Sequence, residues 1–136
     1  MHAFRRRVYL RLERAAEYKS EYVGGEIFAM AGGSPRHSEL AANWIFEVKS
    51  KLRGSNCRLF TSGLRVRTPA TGSYVYPDVA VVCGELRVYE TANDVLTNPA
   101  VVVEVLSLST AHYDRGKKFE LYRAFPSPAG CKLDLP

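Results

Sequence analysis

The segment VVVEVLS, residues 101–107, constrains the fold more strongly than any other part of this sequence. Its β-branched and aliphatic residues are typical of a strand that is covered on both faces. A carboxylate, Glu104, nevertheless stands in its middle, and burying an unpaired ionised carboxylate costs roughly several kcal/mol or more. We therefore expect a sheet with both faces covered, and a specific interaction that offsets the cost of burying the Glu104 carboxylate.

Length and composition indicate an ordinary globular chain. With 136 residues, 46% hydrophobic and 24% charged, it has room for one core, and we expect a single domain over 1–136. We expect 1–7 to be flexible and assign no firm structure to 126–136. No apolar run approaches the ~18 residues that span a bilayer. Because no signal-peptide pattern follows the early arginines, we predict a cytoplasmic protein without a membrane partner.

Charge and cysteine usage add two weaker expectations. The net charge of +5 at pH 7 permits a polyanionic partner such as nucleic acid, although it does not establish one. The three cysteines, Cys57, Cys83 and Cys131, are odd in number and widely spaced. They match neither a disulfide framework nor a zinc pair, so we predict free thiols.

The first part of the chain predicts a helix, a hairpin and a second helix. Residues 9–18 are typical of a short helix, and Gly24-Gly25 predicts the turn of a β-hairpin. Ser34 suits an N-cap with Pro35 at the first helical position. The helix that follows carries one apolar stripe with His37 in its first turn. The stripe consists of Leu40, Ala41, Trp44, Ile45, Val48 and Leu52.

The second part predicts a series of strands and a last helix. The strands are expected at 58–68, interrupted near Ser62-Gly63, at 74–84 and at 100–107, and the helix at about 111–124. Cys131, Leu133 and Leu135 alternate with polar residues, which favours one short edge strand. The order indicates an α/β or α+β sandwich whose central strands are covered.

Two carboxylates share equivalent faces of the predicted central strands. Alternation places Asp78 on the face of Ala80, and Glu104 on the face of Val102. If the strands are neighbours with these faces aligned, the acids meet in an apolar sheet. A proton or a divalent cation must then relieve their repulsion.

The last helix is expected to add an acid and a base to the same region. Asp114 and Lys118, four residues apart, lie near the centre of its inward face, with Lys117 at the edge. Carboxylates that hold Mg²⁺ or Mn²⁺ beside a lysine suit metal-assisted phosphodiester hydrolysis. This pattern predicts a nuclease-like site.

Several motifs in order, YPDVAVV, NPAVVVEVLSLST and DRGKKFELYR, together resemble the Uma family of restriction-endonuclease-like proteins, a branch of the PD-(D/E)XK nuclease superfamily. The resemblance covers residues 9–125. It implies a mixed central sheet flanked by helices, with the N-terminal hairpin in front. It also implies a DNA substrate, with Asp78 and Glu104 as the metal ligands. The sequence departs from the superfamily pattern at one place, because Leu106 stands where a lysine is expected, two residues after Glu104. Lys118 matches the migrated lysine of the Uma branch.

The resemblance also bears on the C-terminus and on assembly. Members of the family usually continue with an aromatic-rich strand and a hairpin, whereas PSPAGCKLDLP, residues 126–136, lacks those aromatics. We therefore expect a curtailed C-terminus, which could leave a sheet edge open to a second copy. Members of the superfamily that cut both strands often act as dimers, which suggests a homodimer.

Each candidate residue also has an ordinary structural interpretation. Asp78 could be a turn residue after Pro77, and Glu104 could pair with Arg65 or Arg67. The other candidates have alternatives of the same kind: Lys118 at a helix edge with its charge in solvent, Asp114 as a cap or partner of Lys118, His37 as a core histidine, and Glu26 as a third acid or an arginine's partner. As a whole, the chain could be a noncatalytic nuclease-like module for nucleic-acid binding or protein assembly.

Overall fold

The computed structural model describes residues 2–30, 34–69, 72–90, 92–105 and 131–134, and of 2–4 and 131–134 only the backbone. Within these ranges lie two helices and nine strands. In chain order they are α1 (His2–Ala15), β1 (Ser20–Val23), β2 (Glu26–Ala29), α2 (Pro35–Lys51), β3 (Cys57–Thr61), β4 (Arg65–Arg67), β5 (Tyr74–Val75), β6 (Val79–Cys83), β7 (Val95–Leu96), β8 (Val101–Val105) and β9 (Cys131–Asp134).

The strands form two sheets. A four-stranded sheet has the order β3-β6-β8-β9, in which β3, β6 and β8 are antiparallel and β9 runs parallel to β8. A five-stranded sheet has the order β2-β1-β5-β4-β7. The mixed sheet and the short final strand at Cys131–Asp134 confirm the sequence prediction.

The two sheets and two helices pack in layers. The apolar stripe of α2, including Trp44, Ile45 and Val48, packs on one face of the four-stranded sheet around Val79 and Val81. A second cluster joins the sheets: Val23, Val66, Val75, Ala80, Val82, Leu96 and Val102. On the outer face of the five-stranded sheet, Tyr9 and Leu10 of α1 pack against that sheet. This α+β arrangement, with the central strands covered, is the predicted class.

Local sequence signals set several element boundaries. The side chain of Ser34 accepts a hydrogen bond from the His37 backbone N–H at 3.1 Å, so the predicted N-cap of α2 is confirmed. Gly24 and Gly25 have φ of 59° and 89° and form the predicted hairpin turn between β1 and β2. A turn of this kind needs left-handed backbone at both positions, which glycine adopts at little cost.

The predicted strands at 58–68 and 74–84 each divide between the two sheets. The first separates into β3 and β4 at a turn in which the Leu64 N–H donates to the Thr61 carbonyl at 3.2 Å. The second separates into β5 and β6 around Pro77. Proline has no N–H to continue a ladder, so the chain changes sheets there.

The first helix begins earlier than the sequence predicts. Residues 2–7, expected to be flexible, form the opening turns of α1. The side chain of Arg6 lies against the backbone at Gly72, where an added Cβ would be 2.8 Å from the arginine Cδ. This packing of Arg6 against the five-stranded sheet stabilises the first turns of α1. Among the described helices, none is both long and apolar enough to cross a membrane.

The prediction of three free thiols is wrong for two of them. Cys57 and Cys83 form a disulfide. They are directly opposed in the β3–β6 ladder, and sequence spacing alone cannot show that two strands pair in this register. The side chain of Cys131 lies outside the described part.

Candidate active site

The central strands β6 and β8 bring two acids to facing positions. Their antiparallel register pairs Val79 with Val103 and Ala80 with Val102, so one further step places Asp78 opposite Glu104. Facing residues of antiparallel strands have Cβ atoms roughly 4.5–5.5 Å apart. The condition set for the two acids, neighbouring strands with aligned faces, is therefore met.

The Asp78 carboxylate is oriented by the neighbouring strand and by α2. Its Oδ2 accepts a hydrogen bond from the Val105 backbone N–H at 2.8 Å. Nε2 of His37 lies 3.5 Å from the same oxygen. Because the Ser34 cap fixes the first turn of α2, it also fixes the approach of His37 to Asp78. The side chain of Asp78 is 14% exposed, so it remains accessible to a small ion or to water.

Glu104 lies deeper than Asp78. Only 4% of the residue is exposed, and Val103 and Val105 on either side of it are buried. By alternation it shares its face with Val102, which belongs to the cluster between the two sheets. The acid that prompted the sequence prediction is thus held on a rigid, apolar strand.

A hydrogen-bonded anchor at Tyr76 fixes the chain just before Asp78. The Tyr76 backbone N–H donates to Oε2 of Glu21 at 2.7 Å, and its hydroxyl donates to Oε2 of Glu13 at 2.6 Å. Nε of Arg65 donates to the same hydroxyl at 2.8 Å. Sequence analysis missed this group and named Arg65 only as a possible partner of Glu104, since the contacts join residues up to 63 positions apart. The available signal was a tyrosine immediately before Pro77 and Asp78.

The buried position of the anchor hydroxyl raises its pKa. Burial first, and then the hydrogen bond to Glu13, raises the pKa of Tyr76 to about 12. Arg65 also contacts Asp94, with 3.3 Å between its guanidinium and Oδ2, while Arg14 donates two hydrogen bonds to Asp94 at 2.8 and 2.9 Å. Arg65 is therefore held by Tyr76 and Asp94, and the ring of Tyr89 lies under the guanidinium of Arg67.

Glu26 occupies a different position from the other acids. It lies in β2, at the outer edge of the five-stranded sheet, opposite Val23, and is exposed. Within the described ranges no three side chains of His, Cys, Asp and Glu converge closely enough to hold a metal ion. Glu26 is thus not brought into a three-ligand cluster with Asp78 and Glu104.

Two predicted site residues cannot be placed. Lys118 and Asp114, together with the helix expected at 111–124, fall outside the described residues. The structure therefore places His37 beside Asp78 and Asp78 opposite Glu104, and the roles of all the candidates stay predictions.

The described donors suit a hard divalent cation. Mg²⁺ binds oxygen ligands and is often held by one or two carboxylates, with water and substrate phosphate completing its shell. Asp78 and Glu104 supply two such carboxylates from facing positions. The Val105 N–H orients one of them, as outer-shell donors do around bound metals.

A mixed sheet covered on both faces, with paired acids on adjacent central strands, is the architecture of restriction-endonuclease-like proteins. The sequence profile of Uma2, described as "Putative restriction endonuclease", matches residues 7–131. The chain belongs to this family.

Three known proteins are similar to this chain, two in sequence and one in structure. Two uncharacterized proteins of Synechocystis sp., sll1609 and slr1290, are 36% and 40% identical to this chain over 118 residues, or 87% of its length. The chain spans 67% and 61% of these relatives. A crystal structure from Anabaena variabilis, described as a putative nuclease belonging to DUF820, has a TM-score of 0.76 at 22% identity, covering 96% of this chain and 73% of that one. This likeness shows the fold.

Proposed function

We propose that this protein is a Mg²⁺-dependent endonuclease, also active with Mn²⁺, that hydrolyses DNA phosphodiester bonds in the cytoplasm. Family membership supports a nuclease role. The observation that carries the proposal is the facing pair of Asp78 and Glu104 on two buried central strands. Two carboxylates at facing positions on rigid, buried strands form a preorganised pair of oxygen ligands, which suits a divalent metal ion.

In this proposal Asp78 and Glu104 hold the metal and Lys118 supports the attacked phosphate. The metal, when bound, supplies an activated water and stabilises charge on the phosphate. His37, 3.5 Å from Oδ2 of Asp78, positions that carboxylate together with the Val105 N–H. The Tyr76 anchor keeps the segment before Asp78 fixed to the five-stranded sheet. The basic balance of the chain, +5 overall, favours a polyanionic substrate.

The direct test is cleavage of supercoiled plasmid by purified protein with Mg²⁺, with Mn²⁺ and with EDTA. We expect metal-dependent nicking by the wild type and none by Glu104→Gln. Glu47→Gln, a change to an exposed acid of α2, is the matched control and should leave nicking intact.

Two outcomes would reject the nuclease proposal. One is a folded wild-type protein that neither binds divalent metal nor nicks DNA. The other is nicking by Glu104→Gln at the wild-type rate, which would identify a contaminating nuclease as the source.

One sequence observation favours a second function, a noncatalytic module for nucleic-acid binding or protein assembly. Leu106 stands where the superfamily lysine is expected, two residues after Glu104. Such a module would bind DNA equally well with and without metal and would leave the plasmid supercoiled. Nicking that requires Glu104 rejects it.

Cleavage of both DNA strands calls for two sites, so a homodimer is part of the proposal.

In the cytoplasm, reductants keep most cysteines as thiols. The site does not depend on the Cys57–Cys83 bond, because five residue pairs from Cys57 to Thr61 already fix β3 against β6.

A further inference from the structure

A group of polar side chains lies on the outer face of the five-stranded sheet, away from Asp78 and Glu104. Tyr22 of β1 faces Tyr74 of β5, and Tyr74 faces Arg67 of β4, so the three form one row across the sheet. Tyr9 of α1 covers this row, with its ring centroid 5.4 Å from those of Tyr22 and Tyr74.

Three polar atoms in this row are buried without a hydrogen-bond partner among the described residues. They are the hydroxyls of Tyr22 and Tyr74 and Nε of Arg67. Tyr74 is fully buried and Tyr22 is 3% exposed. A buried polar group that lacks a partner is unfavourable, because it gives up the hydrogen bonds that it makes with water in the unfolded chain. Three adjacent ones indicate a missing partner that serves them together.

The three atoms share the same hydrogen-bonding chemistry. The arginine Nε is a donor only, and each tyrosine hydroxyl can donate one proton. Each hydroxyl can also accept a hydrogen bond, but a single partner that serves all three atoms must accept several hydrogen bonds at once, because Nε only donates. The oxygens of a tetrahedral oxyanion do so.

The charges around the row favour an anion. The guanidinium of Arg67 lies over the Tyr89 ring, 4.3 Å from its centroid, and makes no ion pair with a carboxylate in the described part of the chain. Arg6, one turn before Tyr9 on α1, reaches the backbone at Gly72, two residues before Tyr74. Burial raises the pKa of Tyr74 overall, and this rise is opposed first by the close approach of the Arg67 side chain to the hydroxyl and then by the charges of Arg67 and Arg6. Two cations thus approach the Tyr74 hydroxyl.

We propose that Arg6, Tyr22, Arg67 and Tyr74 form a binding site for a small oxyanion of the size of inorganic phosphate. We call it the tyrosine–arginine pocket. Arg67 and the two hydroxyls donate to the anion oxygens, and Arg6 adds charge from α1. The pocket lies on the opposite side of the sheet from the candidate active site, so the proposal is independent of the nuclease function.

The test is calorimetric titration of the full chain with inorganic phosphate in chloride buffer of fixed pH and ionic strength, supported by thermal melting. We expect saturable binding of one phosphate and a rise in Tm that follows single-site linkage. Tyr74→Phe and Arg67→Gln should each weaken binding by roughly tenfold or more, because each removes a donor to a charged ligand.

Two matched controls separate the pocket from the basic surface. Tyr18→Phe and Arg11→Gln change exposed residues outside the pocket and should bind phosphate as the wild type does. Tyr74→Phe supplies a further check. In phosphate-free buffer it should melt no lower than the wild type, since it removes a buried hydroxyl that has no partner there.

The proposal is overturned if phosphate shows no saturable binding, as it would if buried water fills the row. It is also overturned if Tyr74→Phe and Arg67→Gln both retain wild-type affinity, since the anion would then bind elsewhere. A Tm rise of equal size in the wild type and all variants would be the general stabilising effect of phosphate, and this too rejects the site.

Discussion

The two sheets both bury acids but surround them differently. In the five-stranded layer, Glu13 accepts hydrogen bonds from the Ser20 N–H and the Tyr76 hydroxyl, and Glu21 accepts one from the Tyr76 N–H. In the four-stranded sheet, Asp78 accepts one backbone hydrogen bond and stands beside an imidazole, with part of its side chain exposed. Burial alone therefore does not identify a site. The donors around each acid, and what room they leave for a ligand, separate structural acids from candidate ligands.

The largest expected effect is on cleavage, from Asp78→Asn. The amide oxygen can still accept the Val105 N–H, so the fold should hold, but the negative charge offered to a metal is lost. We expect metal-dependent nicking to fall by roughly 100-fold or more. The measurement is the initial nicking rate at saturating Mg²⁺. Asp94→Asn, an aspartate of the other layer, is the control, and an equal loss there would erase the distinction between the layers.

The next effect is on stability, from Glu13→Gln. The amide group can present a donor where the Ser20 N–H and the Tyr76 hydroxyl both need an acceptor. We expect the free energy of unfolding to fall by about 1–3 kcal/mol. Urea denaturation measures it, with Glu17→Gln as the exposed control. Cleavage per folded molecule should change little, whereas unchanged stability would show that Glu13 is not a structural acid.

A smaller effect is expected from His37→Gln, which tests whether the imidazole positions Asp78. We expect the Mg²⁺ concentration that gives half-maximal nicking to rise by roughly tenfold, because outer-shell partners tune ligand orientation. Titration of the nicking rate with Mg²⁺ separates this from a general loss of folded protein. A lower maximal rate with an unchanged metal requirement would contradict the positioning role.

The smallest effect is expected at Asp94, which tests whether this acid of the five-stranded layer has a purely structural role. The hydrogen bonds from Arg14, opposed by partial burial, hold the pKa of Asp94 below its ordinary value of 3.8. Its stabilisation is therefore complete above that value and is lost as the pH falls through the lowered pKa. Asp94→Asn should cost less than about 1 kcal/mol at neutral pH, since the pair is a third exposed.

Thermal melting from neutral pH down to acid measures this prediction. The Tm difference between wild type and Asp94→Asn should shrink as the pH falls and vanish below the lowered pKa. A difference that grows on acidification would have the wrong sign and would contradict the assignment.

Sequence analysis predicted the structural features that depend on residues close together in the chain. The Ser34 cap, the Gly24-Gly25 turn and the stripe of α2 each depend on residues within a few positions of one another. The facing positions of Asp78 and Glu104 were also accessible, because two apolar strands with a shared alternation have few ways to align.

The features that sequence analysis missed depend on distant partners. The division of 58–68 and 74–84 between two sheets is set by how the sheets stack, and the sequence of either segment alone does not predict it. The Cys57–Cys83 bond and the Tyr76 anchor likewise join residues far apart in the chain. Alternation predicts the face of a side chain, whereas its partner is set by tertiary packing.

The disulfide has a topological consequence. From β3 the chain leaves the four-stranded sheet, contributes β4 and β5 to the other sheet, and returns through β6. Cys57 and Cys83 are 26 positions apart, so their bond closes residues 57–83 into a covalent ring. This ring contributes strands to both sheets. Loops of this size lower the entropy of the unfolded chain by the equivalent of about 3 kcal/mol. The ring contains Asp78, so in the oxidised protein even an unfolded chain keeps that aspartate within a few residues of the bonded cysteines, and reduction of the bond removes this restraint.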